Sequence, residues 1–389
     1  MRVLQVIDFY YPGMAHGGTA KAAYCISREL VRKGHEVTVI TSDSYNRTSR
    51  IPSRFANVEG ARVHYFKNFN SRIAWDHKVM FCPGEMLFWM KLNEHYDVVH
   101  LHNHYSLQNA AASYFATRRG IPYLVQAHGS LTSVNQKERR KKLFQLAFGS
   151  EILRNASKVI ALTETEASNY QTRGVNRNKI AILPTGIDIA EFEVLPEKGD
   201  FRKEHGIDQG ARVLLYIGRL HKSKGLEMLL ASFIEISRND PSAHLVLIGP
   251  DDGYKSEIVR TSDKIGISSR IHVLGFVNED EKKAALVDSD VFVTPAYSGF
   301  PATFLEACAC GTPLVTTTNG DQLNWIHDNV GYVTRSNVED LVNAIQTILG
   351  SSEIRRRFSA NGRRIVEETY NWDKAVDRLV GIYESCLKE

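Results

Sequence analysis

Short β-branched runs alternate with helical patterns from one end of the chain to the other, as expected for parallel sheets covered by helices on both faces. In the first half, residues 3–7, 36–41, 63–66, 97–101, 123–126, 159–162 and 180–183 read as strands. Residues 213–217, 245–248, 272–274, 291–294 and 314–317 restart the series in the second half. Between the first two strands the period lengthens to that of a helix, over residues 19–33, and Gly34 stands where a left-handed cap is favoured. The last segment, residues 372–387, places Ala375, Val376, Leu379, Val380 and Tyr383 at helical spacing. Periodicity fades from Pro184-Thr-Gly-Ile-Asp188 through Pro196, Lys198 and Gly199, which puts a linker there. The pattern predicts an α/β protein with two doubly wound domains, and 389 residues suffice for two separate apolar cores.

Composition narrows the function classes. Lys plus Arg less Asp plus Glu is 48 − 44 = +4, too mild an excess to drive nucleic-acid binding by itself. Five cysteines, an odd number with no Cys-x-x-Cys pair, indicate neither a disulfide framework nor a zinc knuckle and suit a reducing cytoplasm. The opening apolar run is only strand length and meets Asp8 without a cleavage site, so the expectation is a cytoplasmic protein, at most peripheral to a membrane.

Several clusters carry candidate chemistry. Gly17-Gly18-Thr19 follows the first strand and opens a helix, so its amides suit an anion or sugar, or simply a turn and cap. A G-x-G-x-x-G fingerprint is absent at that point, which argues against a nicotinamide or flavin enzyme. Gly218-Arg219-Leu-His-Lys222-Ser-Lys224-Gly225 follows the first strand of the second half, where open α/β sheets bind ligands. Arg supplies a planar fork and Lys a point charge, a pair suited to a diphosphate, although a solvated basic loop has the same spelling. His128 follows the fifth predicted strand and should emerge at the same sheet edge. His100, His102 and His104 alternate as metal ligands on a strand might, but no carboxylate or thiolate stands at helpful spacing. Asp288-Ser-Asp290 spells a metal-binding carboxylate pair, yet its apolar flanks read as a helix end entering a buried strand. Lys137, Arg139, Arg140, Lys141 and Lys142 precede an amphipathic run, where clustered cations oppose the helix dipole unless an anionic surface or lipid phosphate draws them.

The most informative stretch runs from Pro295 through Ser298-Gly299-Phe300-Pro301-Ala302-Thr303 to Glu306, a turn that opens a helix with a carboxylate about one turn in. It closely resembles the nucleotide-sugar signature of the family 4 retaining glycosyltransferases, which have the two-domain GT-B fold. One residue departs from that signature: Ser298 stands where the family usually has a first Glu. The resemblance extends to the Gly-Gly loop, the Gly34-His-Glu-Val37 strand entry, the Gly-Arg…Lys-Gly element and the final helix, and so covers nearly the whole chain.

The resemblance implies an acceptor-side domain over residues 1–185, a nucleotide-sugar domain over 186–370, and a helix over 371–389 that crosses back onto the first domain. It implies Glu306 on the donor ribose, Arg219 and Lys224 on the diphosphate, and His128 orienting the sugar. Gly17, Gly18, Phe276, Val277, Ser298, Gly299, Phe300, Pro301, Ala302 and Thr303 would surround the rest of the donor. His102, Asn103 and His104 would line the acceptor side. No metal cofactor is implied, so Asp288 and Asp290 are expected to be structural. The expected activity is retaining transfer of a sugar from a UDP- or GDP-sugar to a glycan, lipid-linked or small-molecule acceptor. A GT-B nucleotide-sugar 2-epimerase and a donor-binding protein with little turnover, the latter motivated by Ser298, are the alternatives.

Overall fold

The computed structural model describes residues 1–13, 17–77, 80–91, 93–131, 138–297, 300–318 and 323–388. The chain forms two compact units, the first from Met1–Gly186, Ser298–Phe300 and Trp372–Glu389, the second from Ile187–Tyr297 and Pro301–Asn371.

The first unit is built on eight strands: β1 (Arg2–Val6), β2 (Glu36–Ser42), β3 (Phe55–Val58), β4 (Ala61–Phe66), β5 (Val98–His102), β6 (Tyr123–Gln126), β7 (Lys158–Ala161) and β8 (Ile180–Ile182). Their order is β3-β4-β2-β1-β5-β6-β7-β8, parallel except for the β3–β4 pair. Alternation sends Val3, Val37, Val39 and Val63 to one face and Leu4, Val6, Val99 and Leu101 to the other. Each such fully buried aliphatic side chain contributes about 1.5–3 kcal/mol relative to exposure. The helix Gly18–Arg32 covers the first face beside the helix Trp372–Leu387, which buries Trp372, Val376, Leu379 and Tyr383 in the same cluster. Lys33 ties the two helices by ion pairs of 2.6 Å to Asp373 and 2.7 Å to Asp377.

Strand β3 has no counterpart in the predicted series. It forms a hairpin with β4 through the two-residue turn Glu59-Gly60, both at positive φ (50° and 86°). Asn-Gly or Asp-Gly is the usual signal for that turn, and a non-Gly residue with positive φ at its first position disguises it.

In the second unit β9 (Arg212–Ile217), β10 (Ala243–Ile248), β11 (Ile271–Gly275), β12 (Val291–Thr294), β13 (Leu314–Thr317) and β14 (Gly331–Thr334) form an all-parallel sheet in the order β11-β10-β9-β12-β13-β14. Strand β14 was also invisible in the pattern, being four residues opened by a glycine. That glycine is required, since a Cβ on Gly331 would lie 1.9 Å from the Leu314 carbonyl oxygen of β13. Strand order reverses direction between β1 and β5 in one unit and between β9 and β12 in the other. Ligands of open α/β sheets bind at the carboxyl ends of the strands at such points.

Candidate active site

The loop after β9 and the connection after β12 meet at the switch point of the second unit. Gly225 closes the Gly218–Gly225 loop at φ 71°, and a Cβ there would fall 2.9 Å from Cβ of Pro295 and 3.3 Å from the Ala296 nitrogen. Glycine is demanded twice, by the left-handed backbone and by the close approach. The contact sets Lys224 next to the segment that leads into the helix Ala302–Cys310. Pro301 precedes that helix without a side-chain cap, so the first-turn amides at Ala302 and Thr303 are available to an anion.

Arg219 and Lys224 differ in state. The Arg219 guanidinium is ion-paired with Asp252 at 2.6 Å, both side chains being well exposed. The Lys224 ammonium makes no hydrogen bond or ion pair with the described residues, and burial together with the nearby Arg219 charge lowers its pKa from the ordinary lysine value. A desolvated cation beside uncapped amides is a site prepared for negative charge. The Arg219–Asp252 pair, exposed to solvent, is weak enough to exchange for a phosphate.

Glu306 lies one turn into the helix and is buried. Its Oε1 accepts from Lys282 Nζ at 3.1 Å, and its Oε2 is buried with no partner. Lys282 in turn pairs with Glu279 at 2.6 Å. Burial works against the Lys282 ammonium, but the Glu306 and Glu279 carboxylates outweigh it and raise its pKa. Nearly all buried polar atoms find partners, so the open oxygen of Glu306 is an acceptor suited to hydroxyl groups of a ligand. At the end of β11, Gly275 turns at φ 77° and presents Phe276 almost fully exposed, with Val277 partly buried beside it.

The first unit carries a separate polar cluster at the end of β5 and β6. His128 sits in a turn at φ 51°, held from beneath by Glu166, whose Oε1 accepts from Gly129 N at 2.7 Å, and by Tyr170, whose hydroxyl accepts from Ala127 N at 3.0 Å. Gln5 Oε1 lies 3.2 Å from His102 Nε2, and His102 Nδ1 lies 3.0 Å from His128 Nε2. Because the Gln5 oxygen accepts only, His102 donates from Nε2 and accepts at Nδ1. The His128 Nε2 proton is therefore spent on His102, and its Nδ1 is left to accept from a ligand hydroxyl rather than to donate. Burial lowers His128 and His100 to about 3 and holds His102 well below the ordinary histidine value, so all three rings are neutral.

The histidine row does not act as one face. His102 and His104 are fully buried, and His104 turns away to Gln145 Oε1 at 2.8 Å. Of the three residues expected on the acceptor side, only Asn103 lines open space, a small cavity shared with Ile7, Asp8, Phe9 and Thr19. Asn103 reverses the row by adopting φ 77°. Gly17 has φ 90° and Gly18 starts the helix without a cap, with open space where either Cβ would stand. Asp288 is buried, accepting from Arg202 N, and Asp290 pairs with the Arg202 side chain at 3.1 Å. Arg139, Arg140 and Lys142 are exposed, whereas Lys141 reaches back to Ser130 O at 3.0 Å and sits over the Tyr105 ring. Ser298, Gly299 and Lys137 lie outside the described residues, and Phe300 groups with the first unit. Sequence reasoning missed Lys282, Asp252, Asp8, Gln5 and Glu166. Only Asp8, a carboxylate two residues after β1, carried a signal.

Residues 197–365 match the family of glycosyl transferases group 1, and residues 16–191 match glycosyltransferase family 4. An uncharacterised glycosyltransferase of Methanocaldococcus jannaschii is 27% identical over 402 aligned residues, spanning 99% of this chain and 98% of that protein. A D-inositol 3-phosphate glycosyltransferase of Segniliparus rotundus is 25% identical over 301 residues, spanning 74% of this chain and 66% of its own length. Among solved structures, Anabaena HepE in complex with UDP superposes with a TM-score of 0.75 at 18% identity, covering 99% of this chain and 100% of that one. Two parallel-sheet domains of this kind are the architecture of the GT-B glycosyltransferases. The chain belongs to the group 1 glycosyltransferases of family 4 and is an enzyme.

Proposed function

We propose that this enzyme transfers a sugar from a nucleoside diphosphate donor, a UDP-sugar first among the candidates, to an acceptor hydroxyl with retention of configuration. The observation that carries the proposal is the contact of Gly225 with Pro295 and Ala296, which joins a desolvated Lys224 to an uncapped helix holding the open oxygen of Glu306. The diphosphate would lie against Lys224, Arg219 and the amides at Ala302 and Thr303, and Glu306 Oε2 would accept from the ribose. Phe276 and Val277 would flank the base. UDP in the related HepE structure supports uracil as the first base to test.

In front-side substitution the bond from the sugar's anomeric carbon to the phosphate oxygen breaks as the bond to the acceptor oxygen forms on the same face. The acceptor proton passes to the departing phosphate oxygen. Lys224, Arg219 and the helix amides stabilise the charge that grows there, so no step requires a metal ion. His128 Nδ1 would fix one sugar hydroxyl by accepting its proton in a hydrogen bond. Ser298 would tune the choice of sugar. Gly17 and Gly18 would leave room for the ligand beside Asn103.

The test is a thermal-shift panel of UDP, GDP and ADP, followed by incubation with the matching sugar nucleotides before and after exhaustive EDTA treatment. The cognate nucleotide at a hundredfold excess over its Kd should add about 2.7 kcal/mol of stability. Transfer should persist in EDTA. Activity lost on chelation and restored by manganese would overturn the metal-free mechanism, and epimerised free donor without an acceptor product would overturn transfer itself.

The same reading places the enzyme in the cytoplasm with a peripheral membrane contact. No helix among the described residues is long and apolar enough to cross a membrane. Exposed Leu143 (69%) and Leu146 (82%) instead adjoin the exposed cations Arg139, Arg140 and Lys142. Each cation near an anionic surface contributes about 1 kcal/mol of attraction. Charge reversal at Arg139, Arg140 and Lys142 is expected to abolish cosedimentation with phosphatidylserine vesicles at low salt and to leave nucleotide affinity unchanged. Added salt should weaken the wild-type interaction as the Debye length shrinks. A wild-type protein that ignores such vesicles at low ionic strength would remove this contact.

A further inference from the structure

The first unit contains a cavity of about 610 Å³ that neither the donor site nor the histidine cluster uses. It lies between the helix Pro83–Lys91, the helix Leu107–Arg118 and the helical turns that end at Asn155. Its volume falls within the roughly 300–1,000 Å³ of small-molecule sites. Phe81, Met86, Leu107, Phe115, Phe148 and Ile152 form much of its wall. Phe81 (48%) and Met86 (41%) stay exposed, so the apolar lining continues to the surface and the cavity has a mouth.

Two further observations say what belongs there. Met80 lines this cavity and also the small one that holds Asp8 and Asn103 at the carboxyl ends of β1 and β5. The apolar space is therefore neighbour to the edge where the acceptor side is proposed. Second, the wall contains a built polar point. Glu85, 2% exposed, accepts from Trp89 Nε1 at 3.0 Å and from Gln108 Nε2 at 2.6 Å. Gln108, 3% exposed, is left with Oε1 buried and without a partner. An oxygen in that state is destabilising unless a donor reaches it. Burial also raises the Glu85 carboxyl to about 7, in keeping with how dry this wall is.

We infer that this cavity binds the hydrocarbon chain of an amphipathic acceptor, whose hydrogen-bonding head lies toward Gln108, Asn103 and Asp8. The inference rests on the transferase reading and gives it an acceptor class: a glycolipid or lipid-linked sugar in place of a wholly polar acceptor. A flexible chain suits a site walled by Met80, Met86 and Phe side chains, which adapt to its path without specific partners. The head supplies the one hydrogen bond that Gln108 lacks.

The experiment measures binding of hexyl, octyl and decyl β-D-glucosides below their critical micelle concentrations by titration calorimetry. It uses the full chain without donor nucleotide. A buried methylene is worth about 0.8 kcal/mol, so each two added methylenes should tighten Kd on the order of tenfold. Ala147→Trp, at an exposed position on one wall, and Ala111→Trp, on another, should each weaken decyl glucoside at least tenfold while leaving UDP affinity intact. The Ala147 variant substitutes a surface position and keeps the test valid if Ala111→Trp fails to fold. Affinity independent of chain length, or tryptophan variants that bind as the wild type does, would overturn the inference. Chain-length dependence in a protein that binds none of UDP, GDP and ADP would instead overturn the transferase reading, and with it the acceptor assignment, while leaving an apolar-chain site.

Discussion

A Lys224→Ala variant is expected to fold normally and to lose at least ~100-fold in kcat/KM for sugar transfer. Lys224 is the cation proposed to face the departing diphosphate. Its ammonium has no partner among the described residues, and burial and Arg219 already depress its pKa. A departing diphosphate gains charge in the transition state, so a preorganised cation stabilises that state more than the bound donor. Loss of one such group typically costs about 2.7–4 kcal/mol. Removing a desolvated, unpaired charge does not harm the fold, and thermal unfolding should occur at the wild-type temperature or above it.

The sign of the pH dependence follows from the same residue. A lowered pKa means that Lys224 discharges at a lower pH than an ordinary lysine. An anion favours the charged form, so nucleoside diphosphate affinity should fall as pH rises through that pKa, and the fall should be missing in Lys224→Ala. Near-normal transfer by the variant would detach this loop from the phosphates. Arg219→Ala belongs to the same prediction with a similar loss, because Arg219 leaves only a solvent-exposed partner, Asp252, when it takes up a phosphate.

Glu306→Ala is expected to lower kcat/KM on the order of 100-fold by a different route, through loss of the ribose. A charge-assisted hydrogen bond at Oε2, at roughly 1.5–3 kcal/mol, is at stake. Lys282 keeps Glu279 as a counter-charge, so the truncation does not leave a bare buried cation. The distinguishing measurement pairs the variant with a modified ligand. Wild-type protein should prefer UDP to 2′-deoxy-UDP, and Glu306→Ala should bind the two alike, since the group that reads the hydroxyl is gone. Undiminished discrimination in the variant would mean that Glu306 reads something other than the ribose.

These two predictions draw unequally on the sequence. Gly218-Arg219…Lys224-Gly225 and Pro301…Glu306 were legible because each motif is local, a strand end followed by residues with a definite chemical task. Their difference in state was not legible. Nothing in the spacing tells that Arg219 is paired across 33 positions with Asp252 while the Lys224 ammonium has no partner among the described residues, or that Lys282 and Glu306 meet across 24. The histidines show the limit most clearly. His100, His102 and His104 read as one strand face, but β5 ends at His102, and the left-handed Asn103 carries His104 to another environment. Proton placement on the His128 ring is likewise set from a distance, because Gln5, more than a hundred positions earlier, fixes the tautomers through His102.

By itself the sequence determined the class of fold, the positions of twelve of the strands and the motifs on which the proposed donor site rests. The reason is that hydrophobic periodicity and glycine placement act over a few residues. Two short strands escaped, β3 because its turn uses Glu59 at positive φ and β14 because its glycine answers to the Leu314 carbonyl rather than to its own neighbours. Tertiary structure alone decided which charges are paired, which histidine proton is spent, and which side chains enclose the cavity beside Met80. Pairing, proton placement and enclosed volume depend on residues far apart in the chain that come together only when both sheets and their helices have packed.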